Sequence, residues 1–416
     1  MLNIVLAVVM LLVSVAILLL GNGMLGTLVG LRAGLEGFTA DLTGVVMSAY
    51  FGGFVAGSVT CPALIARTGH IRAFAILAAL AAAAAPLYAY LPHPAVWFGL
   101  RFVSGVCMMG LYMVIESWLN EVAPRATRGR VFGVYMAVNL LAIAAAQGLV
   151  VIAPVAASAP FVLAGVLVTL SLIPIALTRL PEPARVPATP LSLASLRRLP
   201  RLGLVTAFAT GLALGAFWGM GAVYGQRIGL GAGGVAGFMA ATILGGAALQ
   251  WPIGHWSDRH ERRLVLAATA WVACAAAGVA ALVSSAWPQG VTGVAVLYGG
   301  CAFALYSLGV ASVTDAVPAH EVVDATRALL LVNGIGAALG PVSVGYAMSV
   351  ARPGAFFVYA ALVLGALALF ATRARHAPDS VPVSEQGHFT VLARTSPAAL
   401  EMYPDDAATP AVREDL

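Results

Sequence analysis

Ten consecutive residues, GHWSDRHERR (254–263), concentrate charge in a chain that has little of it elsewhere. They include one aspartate, one glutamate, two histidines and three arginines, although only 9% of the 416 residues are charged. Carboxylates and guanidinium groups at this spacing form ion pairs with one another and with the dipoles of neighbouring helix ends. We therefore predict an electrostatic latch whose contacts form and break as segments move. Asp258 would complement the N-terminus of a facing helix.

The three arginines of this stretch need acidic partners if they belong to the latch. Arg259, Arg262 and Arg263 are expected to meet acids near residues 315–324, with Asp315, Glu321 and Asp324 as the candidates. The alternative for Arg262 and Arg263 is that they only set the orientation of the chain in a membrane.

Two further charges, Arg101 and Glu116, stand inside an apolar segment. If the segment is a helix, the 15 residues between them correspond to about 22 Å. A charge inside a membrane helix is costly, so each needs a partner, an aqueous cavity or, for the carboxylate, a proton. Glu116 is the leading candidate for proton coupling; the alternative is a latch acid solvated from one end. Arg101 is either a structural cation bound by helix carbonyls or a contact to an anionic substrate or a coupling acid.

Other polar residues are candidates for a substrate cavity. Asp41 is the next candidate for proton coupling, and Glu36 follows it. Neutral side chains in the apolar segments are more often contacts between helices than substrate ligands. Those that we retain, together with Arg101, as cavity candidates are Asn22, Tyr50, Asn139, Gln147, Trp218, Gln250, Tyr306 and Asn333.

The composition places all these residues in a polytopic membrane protein. Hydrophobic residues make up 61% of the chain, more than a soluble fold of this size can bury. A membrane helix needs about 20 apolar residues. The predicted spans are 4–30, 41–65, 73–91, 96–119, 131–153, 160–178, 203–226, 233–256, 264–284, 290–313, 326–350 and 354–373. The sequence thus predicts an all-α integral membrane protein with twelve helices.

The spans divide into two sets of six. A Pro- and Arg-rich connector, residues 179–202, separates an N-terminal bundle (1–178) from a C-terminal bundle (203–375), and a polar tail (376–416) is expected to be disordered. Connectors after even-numbered spans, with the start of the tail up to residue 375, hold sixteen arginines, whereas Arg32, Arg227 and Arg352 lie on the other side. This asymmetry predicts that both termini are cytoplasmic.

The two sets also repeat each other in sequence. Tyr112, Glu121, Pro124 and Asn139 recur 194 residues later as Tyr306, Asp315, Pro318 and Asn333. The polar turn ARTGHIR (66–72) lies 192 residues before DRHERRL (258–264). Parallel repeats of this kind are typical of transporters that rock two halves about a central site.

These features resemble the major facilitator superfamily over about residues 1–375. GHWSDRHERR is similar to that family's signature between spans 8 and 9, with Gly254, Asp258, Arg259, Arg262 and Arg263 in place. The first-half copy keeps Arg67, Gly69 and Arg72 but has Ala66 where the Asp belongs.

NEVAPRATRG resembles the family's cytoplasmic latch after span 4, represented by Glu121 and Arg128. RFVSG, residues 101–105, resembles its intramembrane arginine motif. LLGNGMLGTLVGLRAGLEGF and YMVIESWLNE resemble the bacterial YcaD-type group. Span 5 lacks the Gly-Pro motif of drug/proton antiporters.

The resemblance implies a secondary active transporter of a small organic solute rather than an enzyme. No GxxxxGK[ST], HExxH, CxxC or GxSxG pattern is present, so we expect no cofactor, no metal and no direct use of ATP. The expected partners are a small-molecule substrate, protons and the lipid bilayer, with no nucleic acid, for a monomer in the bacterial cytoplasmic (inner) membrane. We predict proton-coupled efflux. The alternatives are proton-coupled uptake and a non-transporting membrane sensor with the same fold.

Overall fold

The computed structural model describes residues 2–124, 127–177, 183, 199–318, 321–351, 353–374, 381–387 and 389–391. These residues form helices and connecting turns, and no strand occurs among them. Twelve of the helices are long and apolar enough to cross a membrane. The predicted all-α membrane architecture with twelve spans is therefore confirmed.

The helices follow the predicted spans closely. They are α1 (Leu2–Leu35), α2 (Ala40–Thr68), α3 (His70–Tyr90), α4 (Pro94–Val122), α5 (Arg128–Leu149), α6 (Ala159–Leu177, interrupted at Ser171), α7 (Arg201–Arg227), α8 (Ala232–Ser257), α9 (Arg262–Ala286), α10 (Val291–Thr314), α11 (Val322–Val350) and α12 (Ala355–Arg373). Short 3₁₀ turns follow α9 and lie in the tail, at Pro288–Gly290 and Val383–Glu385.

The largest difference from the predicted bounds is at the end of α1, which continues to Leu35 rather than stopping at residue 30. The extra turn carries Arg32, whose charge is satisfied locally. Its Nε donates to the Glu36 carboxylate at 2.6 Å, and its Nη1 donates to the Val155 carbonyl at 3.3 Å. Because these contacts neutralise the arginine, the helix extends beyond its apolar run.

Helix packing repeats from one half of the chain to the other. In the first half α1 packs on α5, α2 on α4 and α3 on α6; in the second half α7 packs on α11, α8 on α10 and α9 on α12. Each second-half pair is the first-half pair advanced by six helices. Between the halves, α2 packs on α11, α5 on α8 and α1 on α7. This correspondence matches the internal repeat in the sequence. The connector 179–202 falls outside the described residues except for 183 and 199–202.

The two ends of the bundle differ in charge and packing. We call the end with the turns 67–72, 123–130, 257–263 and 314–322 the arginine-rich end, and the other the arginine-poor end. At the arginine-poor end the halves meet backbone to backbone. A Cβ added to Gly44 of α2 would lie 2.3 Å from the Pro341 carbonyl oxygen of α11, and one added to Gly345 would lie 2.6 Å from that of Ala40. The Gln226 amide of α7 also donates to the Leu31 carbonyl at 3.1 Å. The halves are therefore closed together at this end.

Replacing Gly44 with Ala should open this closed end, because the new methyl group would overlap backbone that cannot rotate away. We expect Gly44→Ala to lower the melting temperature and to make cavity residues reactive from the arginine-poor side. Gly52→Ala on the same helix is the matched control, since no atom lies within 4 Å of its added Cβ. Equal melting temperatures and equal reactivity in the two variants would contradict the proposed role of this close approach.

Candidate functional site

A cavity with about 450 Å³ of empty space, open solvent included, lies between the two halves, near the closed arginine-poor end. Helices α1, α2, α4 and α5 of the first half and α7 and α8 of the second half contribute to its wall. The lining residues are Asn22, Gly23, Gly26, Thr27, Tyr50, Phe51, Arg101, Ile143, Gln147, Trp218 and Met239.

Five of the nine predicted cavity residues line this cavity: Asn22, Tyr50, Arg101, Gln147 and Trp218. Sequence reasoning missed Thr27, whose hydroxyl donates to Gln147 Oε1 at 2.7 Å. The spacing of Gly23 and Thr27, four residues apart on the glycine-rich face of α1, could have pointed to it.

The other four predicted residues lie elsewhere, in helix packing. The Asn139 amide donates to the Tyr135 carbonyl one turn back at 2.7 Å. The Asn333 amide of α11 donates to two groups of α7, the Ala207 carbonyl at 3.0 Å and the Thr210 hydroxyl at 3.2 Å. Gln250 and Tyr306 are buried and do not line this cavity. These four residues therefore do not line this cavity, and the two asparagines donate to backbone carbonyls instead.

Arg101 is the charged residue of the cavity wall. It is 4% exposed, and its guanidinium carbon lies 4.8 Å from the centre of the Tyr50 ring, in cation–π geometry. Its Nε has no hydrogen-bond partner among the described residues. The expected structural role, with helix carbonyls satisfying the cation, is not what the described contacts provide.

Glu116 is fully buried, at 0% exposure, and accepts a hydrogen bond of 2.7 Å from the Tyr135 hydroxyl of α5. Glu116 is therefore not solvated in this conformation. Glu116 also does not line the cavity. It lies inside the first half, between α4 and α5, toward the arginine-rich end.

Asp41 and Glu36, the next candidates for proton coupling, lie at the arginine-poor surface. Asp41 is exposed in the first turn of α2, where the helix dipole favours a carboxylate. Glu36 is paired with Arg32. Neither residue lines the cavity.

The predicted latch is built around Arg262, which is 4% exposed. Its Nε donates to Asp315 at 3.0 Å, and its Nη1 donates to Asp258 at 3.0 Å and to the Ser257 hydroxyl at 2.8 Å. One guanidinium thus joins the end of α8, the start of α9 and the end of α10.

The remaining latch residues of the second half have different roles. Arg263 pairs with Glu261 at 2.9 Å and donates to the Ala371 carbonyl in the last turn of α12. Arg259 is exposed and makes no ion pair within the described residues. Gly254 is buried at the end of α8. The ion pairs formed here among the described residues lie within the second half, as do the acids named as candidates, and Arg262 pairs with one of them, Asp315.

The latch residues of the first half form no ion pairs among the described residues. Arg67 and Arg72 are exposed. Gly69 has a φ of 80° between α2 and α3, a conformation that favours glycine. Glu121 is exposed and makes no ion pair in the described part of the chain, while Arg128 donates to the Asn120 carbonyl at 3.2 Å. The expected Glu121–Arg128 pair is therefore not formed.

Part of the C-terminal tail packs on the second-half latch. The Phe389 N–H donates to Asp258 at 2.7 Å, and the Gly387 N–H donates to Asp315 at 3.0 Å. Arg262 donates to the Gly387 carbonyl in return, and the Phe389 ring covers Gly254. Residues 381–387 and 389–391 of the predicted tail are among the described residues, and the two latch carboxylates accept the backbone N–H groups of Gly387 and Phe389. The rest of 376–416 lies outside the described residues.

Comparison with known proteins fits this architecture. The sequence matches the Major Facilitator Superfamily profile over residues 11–250 and 234–402. The chain belongs to this superfamily. It is 28% identical over 338 residues to the uncharacterized MFS-type transporter YcaD of Escherichia coli (strain K12 / DH10B), covering 80% of this chain and 87% of the relative. The resemblance that the sequence motifs indicated is confirmed.

Solved structures of the superfamily share the fold at low identity. The nucleoside transporter NupG superposes with a TM-score of 0.69 at 13% identity, covering 88% of this chain and 98% of that chain. The E. coli fucose:proton symporter FucP gives 0.55 at 16% identity, covering 89% and 98%. This superfamily member is a multi-pass membrane transporter by family and fold, and not an enzyme.

Neutralising Asp258 should loosen the latch without unfolding the protein. Asp258→Asn keeps the size of the side chain but removes the charge that Arg262 and the tail share. We expect folding to persist and the exchange between conformations to slow, as measured by cysteine accessibility from each side. Asp324→Asn is the control, because that side chain is 66% exposed and pairs with Arg327 on its own helix rather than with the latch arginines. Accessibility in Asp258→Asn that equals the wild-type and control values would contradict the latch role.

Proposed function

We propose that the chain carries a small organic solute across the bacterial cytoplasmic membrane by alternating access, with proton-coupled export as its direction. One observation carries the proposal: a single cavity is lined by helices of both repeated halves. Rocking of the halves would expose such a cavity to each side in turn. One chain contains both walls, so a monomer is sufficient.

The orientation in the membrane follows from the arginine distribution. Sixteen arginines against three predict that the arginine-rich end and both termini face the cytoplasm. In this orientation the closed end is periplasmic, and the cavity lies beneath it.

Glu116 is the proposed proton-coupling residue. Its burial and its hydrogen bond from Tyr135 place a titratable group in the helix packing of the first half, where desolvation disfavours a lone carboxylate charge. Gain and loss of a proton would change the α4–α5 contact, and α5 carries Gln147 into the cavity wall. Coupling would then pass through helix α5 rather than through direct contact with the solute. The likeness to a fucose:proton symporter is compatible with proton coupling.

Glu116→Gln should uncouple transport, because the amide keeps the hydrogen-bonding shape but cannot carry a proton. One proton moving inward gains about 2.3 kcal/mol per 100 mV, enough for roughly a 50-fold solute gradient. We expect the variant in proteoliposomes to lose gradient-driven accumulation completely and to keep solute binding and downhill exchange.

Asp41→Asn and Glu36→Gln serve as the comparison variants. Both residues lie at the surface away from the cavity, so neither change should remove accumulation. If Glu116→Gln still concentrates solute and Asp41→Asn does not, the coupling acid is Asp41 and the present assignment is wrong.

Export can be distinguished from uptake in cells. Metabolite profiles of a deletion strain and an overexpressing strain should show the solute accumulating inside the deletion strain; its depletion there would indicate uptake. The sensor alternative predicts neither change, and purified protein would then show no solute flux under an imposed proton gradient.

A further inference from the structure

Arg101 is a buried cation that no described carboxylate neutralises. The ion pairs of the described residues do not include it, and the lining of its cavity contains no acid. Glu116, on the same helix, is about 22 Å away along the axis. A desolvated charge without a counterion is strongly unfavourable in a protein interior, which points to a partner that the cavity receives from outside.

The polar part of the cavity lies beside this cation. Asn22 donates to the Tyr50 hydroxyl at 3.5 Å, and Gln147 is held by the Thr27 hydroxyl. Tyr50 lies face-on to the guanidinium, which leaves the edge of the planar group for another ligand. All of these groups belong to the first half.

The opposite wall is apolar. Trp218 and Met239 line the cavity from the second half. The Trp218 ring packs edge-on against Phe217 and Phe303, with centroid distances of 5.1 and 5.6 Å, so it offers a fixed aromatic surface. The cavity is thus cationic and polar on one side and aromatic on the other.

We propose that the transported solute is an amphipathic organic monoanion, with a carboxylate bound by Arg101 and an apolar body against Trp218. This inference rests on the transport function proposed above. A guanidinium fork matches a carboxylate in shape and offers two parallel hydrogen bonds. A neutral solute would leave the cation unpaired, so the site selects by charge.

The charge of the solute also bears on direction. A monoanion leaving a cell whose interior is negative moves with the membrane potential, which favours roughly a 50-fold outward gradient per 100 mV. One-for-one exchange with an incoming proton moves two charges in the same electrical sense. An anionic solute therefore strengthens the case for export.

The test compares acids with their uncharged amides. Purified protein is titrated with acetate, hexanoate, octanoate and phenylacetate, and with the amide of each, while its melting temperature is followed. We expect the longer carboxylates and phenylacetate to stabilise the protein and the amides to have no effect. Arg101→Gln should weaken carboxylate binding roughly 10- to 100-fold, Arg101→Lys should weaken it less, and Arg373→Gln, an exposed arginine on α12, should leave it unchanged.

The outcomes separate this inference from the proposed function. Stabilisation by the amides that equals stabilisation by the acids overturns the anionic class but leaves transport intact. The acid–amide comparison uses wild-type protein, so it holds even if Arg101→Gln fails to fold. Absence of both binding and flux for a wide panel of charged and neutral solutes would overturn transport itself.

A second, independent observation concerns residues 386, 387 and 389–391 of the tail, which we call the strap. Two latch carboxylates that could accept N–H groups from a helix end instead accept them from Gly387 and Phe389 of the strap. Phe389 and Val391 also pack on the hydrophobic core. The strap therefore occupies Asp258, the carboxylate that was predicted to complement the N-terminus of a facing helix.

The first-half helix that faces the latch residues Asp258, Arg262 and Asp315 is α5. It packs against α8 across the two halves and begins at Arg128 at the arginine-rich end. Its N-terminus is the partner that Asp258 would otherwise take when the arginine-rich ends come together. We propose that the strap competes with α5 for Asp258 and so favours the state in which the arginine-rich ends are apart.

Truncation tests the competition. Spin labels are placed at Ile71→Cys and Leu264→Cys, exposed positions in the equivalent turns of the two halves, with the four native cysteines replaced by alanine. Their separation is measured in the full chain, in a chain ending at residue 380 and in a chain ending at residue 391. We expect the first truncation to shift the distance distribution toward shorter values and the second to leave it unchanged.

Phe389→Ala in the full chain should give a smaller shift in the same direction, because it removes the ring that covers Gly254 but keeps the backbone contacts. An unchanged distance distribution in the chain ending at 380, with or without a lower melting temperature, would overturn the competition. A shift in the chain ending at 391 would assign the effect to residues 392–416 and overturn the role of the strap.

Discussion

Within a membrane, each polar group that leaves water must find its partner inside the protein, and this requirement organises the whole molecule. Three buried ionisable groups illustrate it. Arg262 is surrounded by two carboxylates and a hydroxyl, and Glu116 accepts from Tyr135. Arg101 has a tyrosine face but no described acid. The contacts of Arg262 and Glu116 stabilise helix packing, whereas Arg101 lies where a solute can complete its contacts.

Close helix approach is the second condition for a moving pair of halves. Gly53 of α2 and Gly105 of α4 allow backbone contact within the first half, because a Cβ at either site would lie 2.0 Å from a carbonyl oxygen of the other helix. Gly44 and Gly345 do the same between halves. Bare backbone surfaces can separate and meet again without repacking large side chains, so the same residue type serves both rigid and movable interfaces.

The two halves repeat each other in helix packing but differ in the charged residues at their turns. Both halves use the same three helix pairs, yet among the described residues only the second half has an ion-pair network, around Arg262. Ala66 stands at the position that corresponds to Asp258, and Arg67 and Arg72 are exposed. Without the acid, the first-half turn has no centre for an ion-pair network. In the second half, the ion-pair network also accepts hydrogen bonds from Gly387 and Phe389 of the tail.

The sequence by itself determined the membrane class, the twelve helices and the repeat, because apolar length and charge asymmetry are properties of each segment taken alone. It also identified Arg101, Glu116 and Arg262, since charges are rare in such a chain. Only the tertiary structure separated Asn22 and Gln147, which line the cavity, from Asn139 and Asn333, which bind backbone carbonyls. The docking of Gly387 and Phe389 likewise depends on their backbone N–H groups. Every residue except proline has such a group, so the side-chain pattern of the sequence cannot predict this contact.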